Sequence, residues 1–165
     1  MPVKCRTIVA ALERLAPPVL AADWDNVGLQ LGNPEQEVTR VLVALDVTPA
    51  LADRAAADNI DLIIAHHPLI FKSLASLRTD RPPGRQLAAL LAAGTAVYVL
   101  HTNLDAADGG VNDILAARLG LASLRPLAVD RREKLLKLAV FVPAGHIEEV
   151  RRAIAGAGAG HIGNY

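Results

Sequence analysis

Three segments of this chain close on side chains that bind metals or move protons. They are Asp46, then His66-His67-Pro68, then His101-Thr102-Asn103-Leu104-Asp105. Imidazole nitrogens and carboxylate oxygens together suit Zn, Mn, Fe or Ni. Adjacent residues inside a strand point to opposite faces, so His66 and His67 share a site only just past a strand end. Pro68 biases His67 to an extended conformation and cannot continue a central strand. Two rings diverging there suit two neighbouring ions, which lie about 3.5–4 Å apart in two-metal sites, better than chelation of one. Asp105 offers a carboxylate ligand. His101 is either a ligand or a hydrogen-bonding neighbour of one. Asp46 is either a pocket carboxylate or an ordinary loop residue or helix cap. Taken alone, His-His-Pro also fits a hydrogen-bonded loop. Three separate segments converging make a metal site the expected reading.

That convergence depends on the elements that carry the segments. Residues 40–47, 61–65 and 95–100 are continuous apolar runs bounded by turn residues, the pattern of strands buried on both faces. Helices are expected between and around them: 3–16 with Ile8, Leu12 and Leu15 on its apolar face, Pro49 to about Asn59 capped by Thr48, 84–93 stopped by Gly94, and 111–119 closed by Gly120. A further short strand is expected at 28–31. The alternation predicts a mainly parallel α/β sheet with helices packed on it. Parallel strands put residues 46, 66–67 and 101–105 at one carboxyl edge, where such sheets bind ligands. Residues 124–133 read as a linker, 135–142 as a strand and 146–155 as a helix. One strand and one helix bury no core of their own.

Composition narrows the function classes. Among 165 residues, 17 Lys+Arg balance 17 Asp+Glu, which argues against binding nucleic acid through a bulk basic field. Cys5 is the only cysteine, so no intrachain disulfide or CxxC site exists, and it has no evident partner for a nucleophilic role. No apolar run is long enough to span a bilayer, and the early apolar stretch, broken by Glu13 and Arg14, is no signal peptide. The expectation is a cytoplasmic protein without membrane contact. Gly158, Gly160 and Gly163 spell GxGxxG but follow a helix, where the dinucleotide fingerprint must follow a strand. Arg78, Arg81 and Arg85 either grip an anionic substrate or form a solvated loop. His146 and His161 read as surface residues.

Three motifs taken together resemble the Nif-three-like family, whose members are often described as GTP cyclohydrolase type 2 homologs. They are Trp24-Asp25-Asn26-Val27-Gly28-Leu29-Gln30-Leu31-Gly32, Ile64-Ala65-His66-His67-Pro68-Leu69-Ile70-Phe71, and His101-Thr102-Asn103-Leu104-Asp105. Residues 137–143 and 158–165 resemble the opening of a small ferredoxin-like (α+β) domain inserted in longer members. The resemblance implies that 1–128 is the N-terminal half of the α/β metal-binding domain and that 134–165 holds the first strand and helix of the insert. It implies two divalent transition-metal ions, His66 on one and His67 with Asp105 on the other, with His101 a pocket histidine suited to proton transfer. It also implies a homohexamer, a trimer of dimers, acting as a metal-dependent hydrolase of GTP cyclohydrolase type on a nucleotide substrate. The alternative is a non-catalytic hexameric scaffold or regulatory interaction protein. Family members complete the site with a His and a Glu from an HxxxE-like segment near the C-terminus. No such segment follows Asp105 here, since His146 precedes Glu148 and Glu149. The chain is therefore expected to lack the C-terminal half and to be a piece of a longer protein.

Overall fold

Strand alternation sorts the apolar side chains of this chain into two cores, one on each face of a four-stranded sheet. The computed structural model describes residues 1–126 and 137–160. The chain divides into two compact units, Met1–Leu124 and Arg125–Tyr165.

In the first unit, β1 (Val3–Lys4) leads directly into α1 (Cys5–Leu15). A short 3-10 turn at Pro18–Leu20 follows, then β2 (Gly28–Leu31), β3 (Glu37–Val38) and β4 (Val41–Ala44). Next come α2 (Pro49–Ala57), β5 (Leu62–Ala65), α3 (Gly84–Ala93) and β6 (Ala96–Val99). The unit closes with α4 (Thr102–Ala106) and α5 (Val111–Arg118). The main sheet runs in the order β2-β6-β5-β4. β4, β5 and β6 are parallel, and β2 lies antiparallel on the β6 edge. The sheet is thus mixed but mainly parallel, as the strand–helix alternation predicts. β1 and β3 form a separate two-stranded ribbon.

Ile63, Ala65, Val97 and Val99 pack on one face with Ala52, Ala55 and Leu90 from α2 and α3. Leu62, Ala96, Tyr98 and Leu100 pack on the other with Cys5, Ile8 and Leu12 from α1. The alternation of period two along β5 and β6 is what two-sided burial demands. Thr48 caps α2, its hydroxyl accepting from the Leu51 amide at 3.2 Å. Gly94 ends α3 in the left-handed conformation at φ 70°, where a side chain is strained.

Several expectations need correction. β4 is not buried on both faces. It is the sheet edge, where Val41 and Val43 project exposed, as does Leu45 just past its end. Apolar content alone does not distinguish an edge strand from a central one. The first helix starts at Cys5, not residue 3, because Val3 and Lys4 pair with Val38 and Glu37. Leu15 is exposed, and Val9 and Ala16 pack on the core beside Ile8 and Leu12. Residues 102–106 form a short helix, an element that the apolar periodicity does not mark.

In the second unit, α6 (Ile147–Gly156) forms where a helix is expected. Residues 137–142 are not a strand, against expectation. Leu138, Val140 and Val142 keep the two-residue spacing and line a groove with Ile147, Val150 and Ile154. A strand also requires a ladder partner, and none pairs with this segment among the described residues. Most of the linker expected at 124–133, the first residues of that strand (135 and 136), His161 and Gly163 lie outside the described residues. No helix among the described residues is long and apolar enough to cross a membrane.

Buried in the second core, the Tyr98 hydroxyl has no hydrogen-bond partner among the described residues. Burial, with the nearby Glu13 charge, pushes its pKa up to about 12. An unsatisfied buried hydroxyl costs about 1–3 kcal/mol. Tyr98→Phe is therefore expected to stabilise the protein by about 1 kcal/mol in chemical denaturation. A lowered midpoint would show that the hydroxyl does have a partner.

Candidate metal centre

The register of the parallel strands sets the site. Ala44 lies beside Ala65, and Ala65 beside Val99. The ladder runs on past these strands: the His66 amide donates to the Ala44 carbonyl at 3.1 Å, the His67 amide to Leu45 at 2.9 Å, and the Leu100 amide to Ala65 at 3.0 Å. His66, His67 and His101 consequently leave the sheet at one edge.

Their rings gather there. Ring centroids are 5.1 Å apart for His66 and His67, 5.1 Å for His66 and His101, and 5.7 Å for His67 and His101. One nitrogen of each ring lies within 4.8 Å of the others. The planes of His66 and His67 differ by 50°, the divergence expected of neighbours just beyond a strand. Asp105, on α4, brings Oδ1 to 3.8 Å from His66 Nε2. The Asn112 side-chain amide donates to its backbone carbonyl at 2.9 Å.

Each imidazole is fixed from behind through Nδ1. His66 Nδ1 bonds the Leu100 carbonyl at 2.8 Å, His67 Nδ1 bonds Asp46 Oδ1 at 2.8 Å, and His101 Nδ1 bonds Asp25 Oδ1 at 2.9 Å. A carbonyl or an ionised carboxylate only accepts. Nδ1 must therefore carry the proton in all three rings, and each neutral ring keeps its lone pair on Nε2. This is the outer arrangement that metal-ligating histidines adopt. Three Nε2 lone pairs beside a carboxylate form a donor set that fits a divalent transition metal.

The acceptors behind the rings differ in exposure. The Asp25 side chain is fully buried, and the Asp46 side chain is 53% exposed. Burial pushes the Asp25 pKa up. Hydrogen bonds from Thr102, His101 and Asn26 outweigh it, and the carboxyl titrates below its usual range. Its donors are the Thr102 hydroxyl, the Thr102 amide at 3.1 Å, His101 Nδ1 and the Asn26 amide at 2.7 Å. Asn103, also buried, joins the His101 turn to α1: its side chain accepts from the His101 amide at 2.9 Å and donates to the Ala16 carbonyl at 2.8 Å.

The structure thus brings His66, His67, His101 and Asp105 together, and it puts Asp46 behind His67. It does not bring in the arginine loop. Arg78 pairs with Asp80 at 2.5 Å and Arg85 with Asp53 at 3.1 Å, all four side chains being more than half exposed. His146 stands in the second unit, exposed and paired with Glu149. Cys5 is fully buried, and desolvation raises its pKa, which makes it a poor nucleophile.

Asp25 and Thr102 are the functional residues that reading the residues for chemistry missed. Both lie within motifs singled out for resemblance, and neither spacing nor residue type reveals that Asp25 meets His101 across 76 positions. Asn26 and Gln30 belong with them. Their side chains donate to the Ile70 carbonyl at 2.6 and 3.1 Å, and Gln30 accepts from the Ile70 amide at 2.8 Å. Residues 25–30 thereby brace both histidine segments.

Comparison with known proteins agrees with the resemblance drawn from the three motifs. A family model described as Duf34/NIF3 (NGG1p interacting factor 3) matches residues 3–165. Curated relatives bear the name GTP cyclohydrolase 1 type 2 homolog. The one from Bacillus subtilis is 47% identical over 96% of this chain and 42% of its own length. The one from Mycobacterium tuberculosis is 38% identical over 100% of this chain and 43% of its own. Among solved structures, a Bacillus cereus protein related to NIF3 is similar with a TM-score of 0.73 and 42% identity, over 99% of this chain and 45% of that one. Reduced HcgD from Methanocaldococcus jannaschii is similar with a TM-score of 0.73 and 31% identity, over 78% and 51%. The chain spans less than half the length of these curated relatives.

Asp25 makes a checkable contribution to stability. Its folded pKa lies below the unfolded value of about 3.9. The stability it contributes is therefore fully present above that value and is lost as pH falls through it toward the folded pKa. Asp25→Asn is expected to destabilise the protein by about 1–3 kcal/mol at pH 7, with the difference from wild type shrinking at pH 3. A pH-independent difference in denaturation midpoints would contradict this.

Proposed function

The chain belongs to the Duf34/NIF3 family, and we propose that its histidine cluster holds divalent transition-metal ions and serves a metal-dependent hydrolase acting on a nucleotide. The observation that carries this reading is the fixing of all three Nδ1 atoms by acceptors, which leaves Nε2 as the free ligand atom of three rings that gather with one nitrogen each within 4.8 Å of the others. A cluster of surface histidines without a ligand role has no need of matched acceptors behind every ring. We assign His66 to one ion and His67 with Asp105 to a second, the arrangement the family resemblance implies. Zn, Fe, Mn and Ni all suit such donors. Bound ions would supply a nucleophile from water at neutral pH and polarise an electrophilic carbon or phosphorus.

His101 is assigned proton transfer. With Nδ1–H directed at the ionised Asp25, the ring accepts a proton at Nε2 and the carboxylate stabilises the resulting imidazolium. The buried hydrogen bonds to Asp25 hold the ring in place while it does so. His67, 47% exposed, is the cluster histidine most open to an incoming substrate. The nucleotide assignment follows the name carried by the relatives, GTP cyclohydrolase 1 type 2 homolog.

A second reading is a metal-stabilised homohexamer, a trimer of dimers, without turnover. It is favoured by the exposed apolar residues Val41 and Val43 on the edge strand and Leu45 just past it, a surface suited to subunit contact.

Elemental analysis of protein purified without chelators or a metal-affinity tag tests the metal assignment. About two transition-metal ions per chain are expected, falling sharply in His67→Ala with the fold retained. Equal and negligible metal in both proteins would overturn it. His101→Gln is expected to keep the metal and lose at least about a hundredfold in GTP turnover. Loss of metal in that variant would make His101 a ligand instead, and metal-loaded wild type without turnover would favour the assembly reading.

A further inference from the structure

The first unit holds three aromatic residues, Trp24, Phe71 and Tyr98. Tyr98 is buried in the core, whereas Trp24 is 64% and Phe71 44% exposed. These two meet each other edge to face, with ring centroids 6.0 Å apart, and Trp24 stands 6.3 Å from the His101 ring. Core packing therefore does not account for them, and both stand at the rim of the histidine cluster. Their mounting is firm. Trp24 adjoins Asp25 and Asn26, and Phe71 follows the Ile70 peptide that Asn26 and Gln30 hold on both its amide and its carbonyl.

Beyond Phe71 a cleft of about 700 Å³ continues past His67 and Asp46, lined also by Lys72, Ser73 and Ser76. That volume is in the range of small-molecule sites. Lys72 has no ion-pair partner among the described residues, whereas Arg78 and Arg85 are each paired with a carboxylate. Two rings at a 67° angle form a corner that receives a flat ring, stacking it on one and meeting the edge of the other.

We propose that Trp24 and Phe71 bind a planar heteroaromatic ring at the rim of the cluster and that Lys72 holds an anionic group on the same ligand. The ligand is thus a flat ring bearing a phosphate or similar anion, with its reactive part at the histidines. This rests on the hydrolase reading for what happens at the cluster, but not for binding itself. Neutral hydroxyls beside Lys72 add hydrogen-bond donors for anion oxygens.

Trp24 is the only tryptophan of the chain, so selectively excited tryptophan fluorescence reports on this position alone. The full chain is titrated with GTP and, separately, with inorganic tripolyphosphate, which has the charge but no ring. GTP is expected to quench Trp24 saturably and tripolyphosphate is not. Phe71→Ala is expected to raise the GTP dissociation constant about tenfold, Phe71→Tyr to leave it near wild type, and Lys72→Gln to raise it about tenfold. Acrylamide should quench the free protein readily, and GTP should shield it. No saturable quenching by GTP, equal quenching by tripolyphosphate, or an unchanged constant in Phe71→Ala overturns the proposal. So does a Trp24 already shielded in free protein, which would make this rim a contact between copies. Metal content measured on the same samples separates the two claims. Metal without ring binding sinks this inference alone, and ring binding without metal sinks the hydrolase reading alone.

Discussion

Ala44, Ala65 and Val99 stand abreast in three parallel strands, and the chemistry of this protein depends on that register. A slip of one residue in β5 would turn His66 and His67 to the opposite faces. The same slip would exchange the two sets of core side chains, moving Ile63 and Ala65 off the α2–α3 core and Leu62 off the α1 core. The packing that secures the fold thus also fixes where the imidazoles leave the sheet. Backbone hydrogen bonds from His66, His67 and Leu100 extend the ladder to the residues that matter.

A second layer of constraint lies behind the rings. Backbone register brings the histidines near one another but does not choose their tautomers. The Leu100 carbonyl, Asp46 and Asp25 do so, by accepting from Nδ1 in each case. Of these, Asp25 is buried and receives further hydrogen bonds from Thr102 and Asn26, while Asp46 is half exposed. The His101 side of the cluster is accordingly the more rigid, and the His67 side the more open, which suits a site approached from the cleft beside Asp46.

The sequence makes much of this legible because strands β5 and β6 are apolar runs with sharp ends. The runs locate the carboxyl edge, and His66, His67, His101 and Asp105 follow from it. What stays hidden is of two kinds. The exposed face of β4 reads as buried because apolar content does not report what covers a strand, and strand order is a long-range property. Likewise, residues 137–142 carry a strand pattern, but whether a strand forms depends on a pairing partner. Asp25 is hidden for a related reason. Its role comes from a contact with His101 far along the chain, so its local context marks a motif and not a chemistry. Trp24 and Phe71 also lack meaning until the fold shows them touching at the rim of the cluster.

Histidine ¹⁵N NMR on the metal-free chain, followed by titration with Zn²⁺, tests the central claim most directly. Fixing of the three rings through Nδ1 predicts that His66, His67 and His101 all show the Nδ1–H tautomer before metal is added. On titration the Nε2 resonances of His66 and His67 should shift strongly and saturate, with His146, a residue of the second unit paired with Glu149, unmoved. Nε2–H tautomers in the metal-free chain, or Nε2 signals of His66 and His67 that move no more than that of His146, would contradict the account.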